Sequence, residues 1–141
     1  MSRLTFNDWG LEGYVSEAIK EMGWEEPTQI QIESIPVARK GKDVVGQART
    51  GSGKTAAFGI PIIESCASDG ALQSLVLCPT RELAVQVAEE MSKLQGKKGL
   101  RIETVYGGTD IEKQAKLLDK GVDVIVGTPG RVIDMSKRGH I

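Results

Sequence analysis

The segment from Ala48 to Thr55, with the sequence A-R-T-G-S-G-K-T, restricts the possible folds of this 141-residue chain more than any other feature. A bound triphosphate needs inward-pointing backbone N–H groups, a helix N-terminus, a lysine for its outer phosphates and a hydroxyl for Mg²⁺. Gly51 and Gly53 allow the backbone to curl. Lys54 supplies the charge, and Thr55 supplies the hydroxyl at the start of a predicted helix. The segment therefore predicts a phosphate-binding loop between a strand and a helix, because an ordinary turn needs no lysine-threonine pair.

Composition limits the other functions that the chain could have. Lysine and arginine total 18 against 19 acidic residues, so any site for a polyanion must be local. Cys66 and Cys78 are too few and too far apart for a metal cluster, and their thiols are expected to be reduced core residues. No apolar run approaches the roughly 18 residues of a membrane span, and residues 1–5 lack the apolar core of a signal peptide. We expect one soluble cytoplasmic α/β domain without a membrane partner.

A strand-break-helix pattern recurs along the chain and predicts a parallel sheet. Short β-rich apolar runs are each followed by a break rich in Gly, Thr or Pro and then by a helical stretch. The predicted strands lie at 43–46, 74–78, 101–106 and 122–126. In such sheets ligands bind where the strands end and the helices begin, so the breaks are predicted to share one functional edge.

Two helices are predicted before the first strand. Apolar residues between 11 and 22 repeat at three- and four-residue steps, and Gly23 follows as a stop. The second helix is predicted to begin after Pro27 and to end or kink at Pro36. Thr28 and Gln31 have the spacing of a capping box, which is one structural explanation of Gln31.

Five segments in order resemble motifs of the DEAD-box RNA helicases. Residues 23–31, G-W-E-E-P-T-Q-I-Q, with Phe6 seventeen positions before Gly23, resemble the Q motif. Ala48 takes the place of glycine in the general loop pattern, and alanine is usual in this family. The remaining matches are Ala48–Thr55 (motif I), Pro79–Ala84 (motif Ia), Gly107-Gly108 (the GG element) and Thr128–Arg131 (motif Ib).

The resemblance implies binding of ATP with Mg²⁺. The Gln31 amide would read the N6 and N7 edge of adenine, which offers one donor and one acceptor. Phe6 would stack on the adenine ring, although it could instead be an apolar anchor of the N-terminal segment. Thr55 would contact Mg²⁺. The nucleotide-binding residues implied in this way are Phe6, Gln31, Ala48, Arg49, Thr50, Gly51, Ser52, Gly53, Lys54 and Thr55.

The resemblance also implies contacts with the RNA backbone, independent of base sequence. Both motif Ia and motif Ib look like helix starts, which is a structural explanation of their Thr and Pro residues but is compatible with phosphate binding. Arg81 could pair with a neighbouring carboxylate instead of a phosphate. The implied RNA-binding residues are Pro79, Thr80, Arg81, Gly107, Gly108, Thr128, Pro129, Gly130 and Arg131.

The fold implied is a RecA-like P-loop NTPase domain with a mainly parallel sheet flanked by helices. We expect a Q-motif region at 1–34 and a partial RecA-like domain at 35–141. The family's D-E-A-D and Ser-Ala-Thr elements are missing from the sequence, so the sheet is expected to lack two central strands. The chain is predicted to have no catalytic residues and to need the rest of the domain and a second RecA-like domain for activity. The alternatives are a stand-alone ATP- or RNA-binding module and, less favoured by the motifs, another P-loop enzyme such as a nucleotide kinase.

Overall fold

The computed structural model describes residues 5–49 and 53–141. The chain divides into two compact units, Met1–Ser65 with Lys93–Lys98 (unit 1) and Cys66–Ser92 with Gly99–Ile141 (unit 2). The elements are a 3-10 helix at Phe6–Trp9, the helices α1 (Gly13–Glu21), α2 (Gln29–Arg39), α3 (Lys54–Ser65), α4 (Arg81–Leu94), α5 (Ile111–Asp119) and α6 (Pro129–Lys137), and the strands β1 (Ser74–Leu77), β2 (Ile102–Val105) and β3 (Val124–Gly127).

Unit 1 is built mainly on the packing of α2 against α3. The side chains of Ile35 in α2 and of Ile60 and Ile63 in α3 are fully buried. The two predicted helices before the phosphate loop are confirmed, and Gly23, which follows the C-cap residue Met22 of α1, has a φ of 76°. Pro36 does not end α2, because the helix continues to Arg39.

Unit 2 contains a three-stranded parallel sheet in the order β1-β3-β2. Val124 of β3 lies opposite Ser74 of β1 and Ile102 of β2. All four residues of the central strand are buried, as expected for a strand covered on both faces. One cluster of buried apolar side chains joins the sheet to α5 and α6 and consists of Val105, Leu118, Val122, Ile125, Val132 and Met135.

The predicted strand at 43–46 does not form in the described structure. Residues 43–49 belong to no helix or strand, and the Val45 side chain is 97% exposed. A β-strand requires a neighbour that accepts and donates its backbone hydrogen bonds, and no described strand pairs with this segment. The prediction of this strand was therefore wrong for the structure, whereas the other three predicted strands are confirmed.

Cys66 and Cys78 are buried and free, as the sequence predicted. The Cys66 sulfur lies 3.4 Å from the Ser74 hydroxyl. Burial raises the pKa of the Cys78 thiol, which favours its protonated form.

Candidate nucleotide-binding and nucleic-acid-binding sites

Gln31 connects the start of α2 to the end of the phosphate loop. Its side chain is 2% exposed, and both ends of the amide are engaged. Oε1 accepts a hydrogen bond from the Thr28 backbone N–H at 3.0 Å, and Nε2 donates to the Gly53 carbonyl at 3.1 Å. The same residue therefore caps α2, as one interpretation of the sequence required, and contacts the loop.

The Thr28 hydroxyl completes only part of the predicted capping box. Thr28 Oγ1 faces the Gln31 backbone N–H in a capping-box arrangement that falls short of hydrogen-bond geometry. It is buried and has no hydrogen-bond partner among the described residues. A Cβ at Gly53 would lie 3.0 Å from this oxygen, so the unused acceptor faces the phosphate loop.

Gly53 occupies a position that only glycine tolerates. Its φ is 85°, and an added Cβ would lie 2.4 Å from Gln31 Nε2. Its carbonyl also accepts the first hydrogen bond of α3, from the Ala57 N–H at 3.2 Å. The glycine thus lets Gln31, the loop and the helix start meet at one carbonyl oxygen.

The N-terminus of α3 presents the charge and the hydroxyl that a triphosphate requires. Lys54 is exposed and Thr55 is half-buried in the first turn, where backbone N–H groups and the helix dipole favour an anion. Ala48 is half-buried and Arg49 is exposed before the loop. The predicted loop residues Thr50, Gly51 and Ser52 lie outside the described residues.

Thr55 is the residue that the sequence assigns to Mg²⁺. Within 5–49 and 53–141, no group of three or more His, Cys, Asp or Glu side chains could hold a metal. Mg²⁺ at nucleotide sites is bound by phosphate oxygens and water with few protein ligands. The Thr55 hydroxyl, half-buried at the start of α3, fits that requirement.

Phe6 lies in a cluster of three aromatic rings and is 5% exposed. Its ring meets Trp9 edge-on at a centroid distance of 5.6 Å and is stacked on Trp24 at 6.2 Å. This packing is that of an apolar anchor, which was the structural alternative for this residue. Stacking on adenine stays a prediction, and it requires one face of the ring to become accessible.

Motif Ia forms the start of α4 in unit 2. Thr80 Oγ1 accepts a hydrogen bond from the Leu83 N–H at 3.2 Å, so it caps the helix as predicted, and Pro79 before it is exposed. Arg81 is exposed, and its guanidinium carbon lies 5.1 Å from the centre of the Tyr106 ring. None of the described carboxylates pairs with Arg81, so the ion-pair alternative is not realised in the described part of the chain.

The GG element follows β2 and lies beside Arg81. Gly107 and Gly108 are exposed, and Gly108 has a φ of 82°. A Cβ at Gly108 would be 3.8 Å from Arg81 Nη1. The structure therefore places the arginine of motif Ia next to a backbone segment that has no side chains.

Motif Ib begins α6, with Thr128 at the N-cap and Pro129 at the first helical position. The predicted helix start is confirmed, although the Thr128 side chain makes no capping hydrogen bond. Pro129 and Gly130 are exposed. Arg131 is half-buried and donates from Nη1 to Gln114 Oε1 at 2.9 Å and from Nη2 to the Thr109 carbonyl at 3.3 Å.

Gln114 was not singled out by the sequence, because it lies outside the five motifs. The residue is buried and connects Arg131 to the loop that contains the GG element. One signal could have identified it: Gln114 is a polar residue on the stripe formed by Ile111 and Leu118, three and four positions away. A buried polar side chain on an apolar stripe must have hydrogen-bond partners.

None of the helices in the described ranges combines the length and the apolar character needed to span a membrane.

Comparisons with known proteins agree on one family. A family model described as DEAD/DEAH box helicase matches residues 28–141. The chain is 54% identical over 138 residues to the DEAD-box ATP-dependent RNA helicase CshA of Geobacillus kaustophilus (strain HTA426), an alignment that covers 97% of this chain and 30% of that protein.

Two solved structures have the same fold over most of the chain. A DEAD box protein from the hyperthermophile Methanococcus jannaschii matches with a TM-score of 0.93 and 44% identity, over 100% of this chain and 39% of that one. A hypothetical ATP-dependent RNA helicase from Sulfolobus tokodaii matches with a TM-score of 0.85 and 40% identity, over 93% and 38%. The predicted α/β fold is confirmed, and the chain spans about a third of the length of these relatives.

Proposed function

Since the chain belongs to the DEAD/DEAH box helicase family, we propose that it is the ATP-binding and RNA-binding part of an ATP-dependent RNA helicase that works in the cytoplasm. The observation that carries the proposal is the position of Gln31, whose buried amide joins the Q-motif helix to Gly53 at the start of α3. A side chain at this position can contact the base of a bound nucleotide and can also hold the loop that binds its phosphates. The division into a Q-motif region at 1–34 and a partial RecA-like domain at 35–141 is part of this proposal.

ATP binding is assigned to the residues around Gln31 and the α3 N-terminus. The exposed Lys54 and the first N–H groups of α3 bind the phosphates, and the Thr55 hydroxyl contacts Mg²⁺. When bound, Mg²⁺ neutralises phosphate charge. The Gln31 amide is engaged with Thr28 and Gly53, so reading adenine requires it to exchange those partners. Stacking by Phe6 likewise requires the ring to leave Trp9 or Trp24.

RNA binding is assigned to the exposed surface formed by motifs Ia, GG and Ib in unit 2. Free N–H groups at the starts of α4 and α6, the accessible backbone of Gly107 and Gly108, and the guanidinium of Arg81 all suit phosphate oxygens. Such contacts carry no base information, so binding is independent of RNA sequence.

The test compares ATP and GTP binding by the chain and by its Gln31→Ala variant in calorimetric titrations. The variant removes a bidentate contact worth about 1–3 kcal/mol by analogy with base-edge recognition, so ATP binding weakens about fivefold or more while GTP binding hardly changes. Equal losses for both nucleotides contradict the adenine role, because loss of a helix cap of about 1 kcal/mol cannot distinguish bases.

Two further variants separate capping from base recognition. Gln31→Glu keeps an acceptor for the Thr28 N–H but removes the donor amide, so α2 stays capped while the selectivity for ATP falls. Gln29→Ala changes an exposed glutamine of the same helix and is expected to leave both titrations as in the unmodified chain.

A further inference from the structure

We propose that Gln114 is a positioning residue that holds the GG element and Arg131 in one arrangement for binding the RNA backbone. The inference rests on the proposed function and adds to it a residue outside the five motifs. It is carried by a closed hydrogen-bond network in which Gln114 is the central member.

The Gln114 amide has a partner for each of its polar atoms. Nε2 donates to the Tyr106 carbonyl at 3.1 Å and to Thr109 Oγ1 at 2.6 Å, and Oε1 accepts from Arg131 Nη1 at 2.9 Å. Thr109 Oγ1 in turn donates to the Tyr106 carbonyl at 3.1 Å. The side chain is 9% exposed, so these bonds do not compete freely with water.

The two loop contacts of Gln114 lie on either side of the glycine pair. Tyr106 precedes Gly107 and Thr109 follows Gly108, and Arg131 Nη2 adds a bond to the Thr109 carbonyl. Glycine loses more conformational freedom on ordering than any other residue, so a loop of two exposed glycines is costly to fix at the moment of binding. A loop that is already held at both ends binds its ligand more tightly.

Gln114 also restricts Arg131. Two nitrogens of the guanidinium are committed to Gln114 and Thr109, so the side chain has one orientation at the start of α6. The buried amide therefore couples the helix of motif Ib to the loop of the GG element. If Gln114 had only a structural role, replacing it would lower the stability of the chain but would leave the RNA affinity of the folded chain unchanged.

The test titrates a labelled single-stranded RNA into the chain, Gln114→Ala and the control Gln86→Ala by fluorescence anisotropy at several salt concentrations. Gln86 is an exposed glutamine on α4, so its variant should bind like the unmodified chain. Gln114→Ala should bind about three- to tenfold more weakly at every salt concentration, the effect expected for one or two hydrogen bonds. The slope of log affinity against log salt should not change, because glutamine neutralises no phosphate.

Gln114→Glu tests the loop contact with a side chain of the same length and also serves if Gln114→Ala does not fold. The carboxylate keeps an acceptor for Arg131 but places an oxygen against the Tyr106 carbonyl, so the loop is released. We expect the affinity loss of Gln114→Ala together with faster amide hydrogen exchange at 106–110.

The outcomes separate this inference from the function on which it rests. An unmodified chain that does not bind RNA overturns the proposed function and this inference with it. An unmodified chain that binds RNA, with Gln114→Ala or Gln114→Glu within twofold of it, overturns the positioning role alone.

Discussion

A single buried carboxylate organises one loop of unit 2. Asp123 is 1% exposed; its Oδ1 accepts from the Asp69 and Gly70 N–H groups at 3.2 and 2.8 Å, and its Oδ2 accepts from the Arg101 N–H at 2.8 Å. Asp123→Asn turns one acceptor into a donor that faces an N–H group, so we expect a loss of about 2 kcal/mol or more in the free energy of unfolding. Urea unfolding measures it. Asp119→Asn changes an exposed carboxylate and should cost less than about 0.5 kcal/mol, and equal losses would contradict the assignment.

The position of Arg81 allows a prediction about what its positive charge contributes to RNA binding. The guanidinium lies over the Tyr106 ring, is exposed and pairs with none of the described carboxylates, so its charge is available to a phosphate. If it neutralises one phosphate of a single strand, Arg81→Ala should lower the slope of log affinity against log salt by about 0.7, for every RNA sequence. Arg138→Ala is the matched control, because that exposed arginine is already paired with Asp134. An unchanged slope for Arg81→Ala would remove the residue from the RNA-binding surface.

At the scale of elements, α3 has a complementary charge at its C-terminus. Its N-terminus follows the phosphate loop, and at its C-terminus the Lys98 ammonium donates to the carbonyls of Ile63 and Glu64 and lies 5.1 Å from the centre of the Tyr14 ring. Lys98→Met keeps most of the apolar stem and removes the charge, so we expect unit 1 to lose about 1 kcal/mol in stability. Chemical denaturation, monitored by amide hydrogen exchange in α3, measures the loss of stability. The exposed Lys97 provides the control, and a similar effect of Lys97→Met would indicate a general charge effect.

Elements whose signals are local were predictable from the sequence. The strands β1, β2 and β3 are marked by short apolar runs with breaks after them, and α2, α4 and α6 by a Pro or Thr at the start. The strand at 43–46 has the same local signal but does not form, because strand pairing depends on a neighbour that the sequence of the segment cannot specify. Gln114 was missed for a related reason: its partners, Tyr106, Thr109 and Arg131, come from other elements. The cap at Gln31 was predicted, whereas its bond to Gly53 joins residues 22 positions apart.

At the scale of the whole molecule, each of the two units exposes an apolar side chain on backbone that is unpaired in the described structure. Val45 is 97% exposed in unit 1, and Leu77 of the edge strand β1 is 55% exposed in unit 2. Exposed apolar residues on unpaired strand edges promote association between molecules. The family's D-E-A-D and Ser-Ala-Thr strands, which are missing from residues 1–141, are expected to cover these positions.

We therefore predict that the 141-residue chain, expressed alone, aggregates at high protein concentration, has a low melting temperature and shows no measurable ATPase or unwinding activity. Phosphoryl transfer depends on positioning and charge neutralisation, and the sequence keeps the phosphate loop without the acidic pair that orients Mg²⁺ and water in this family. Sedimentation, thermal melting and phosphate release with ATP, Mg²⁺ and RNA measure each part.

As a control, Val45→Ser with Leu77→Ser should reduce aggregation and leave phosphate release at background, because these residues affect association and not chemistry. A chain that stays monomeric at high concentration, melts at a high temperature and has a helicase-like ATPase rate would contradict both parts, and would mean that carboxylates interpreted as structural take part in catalysis.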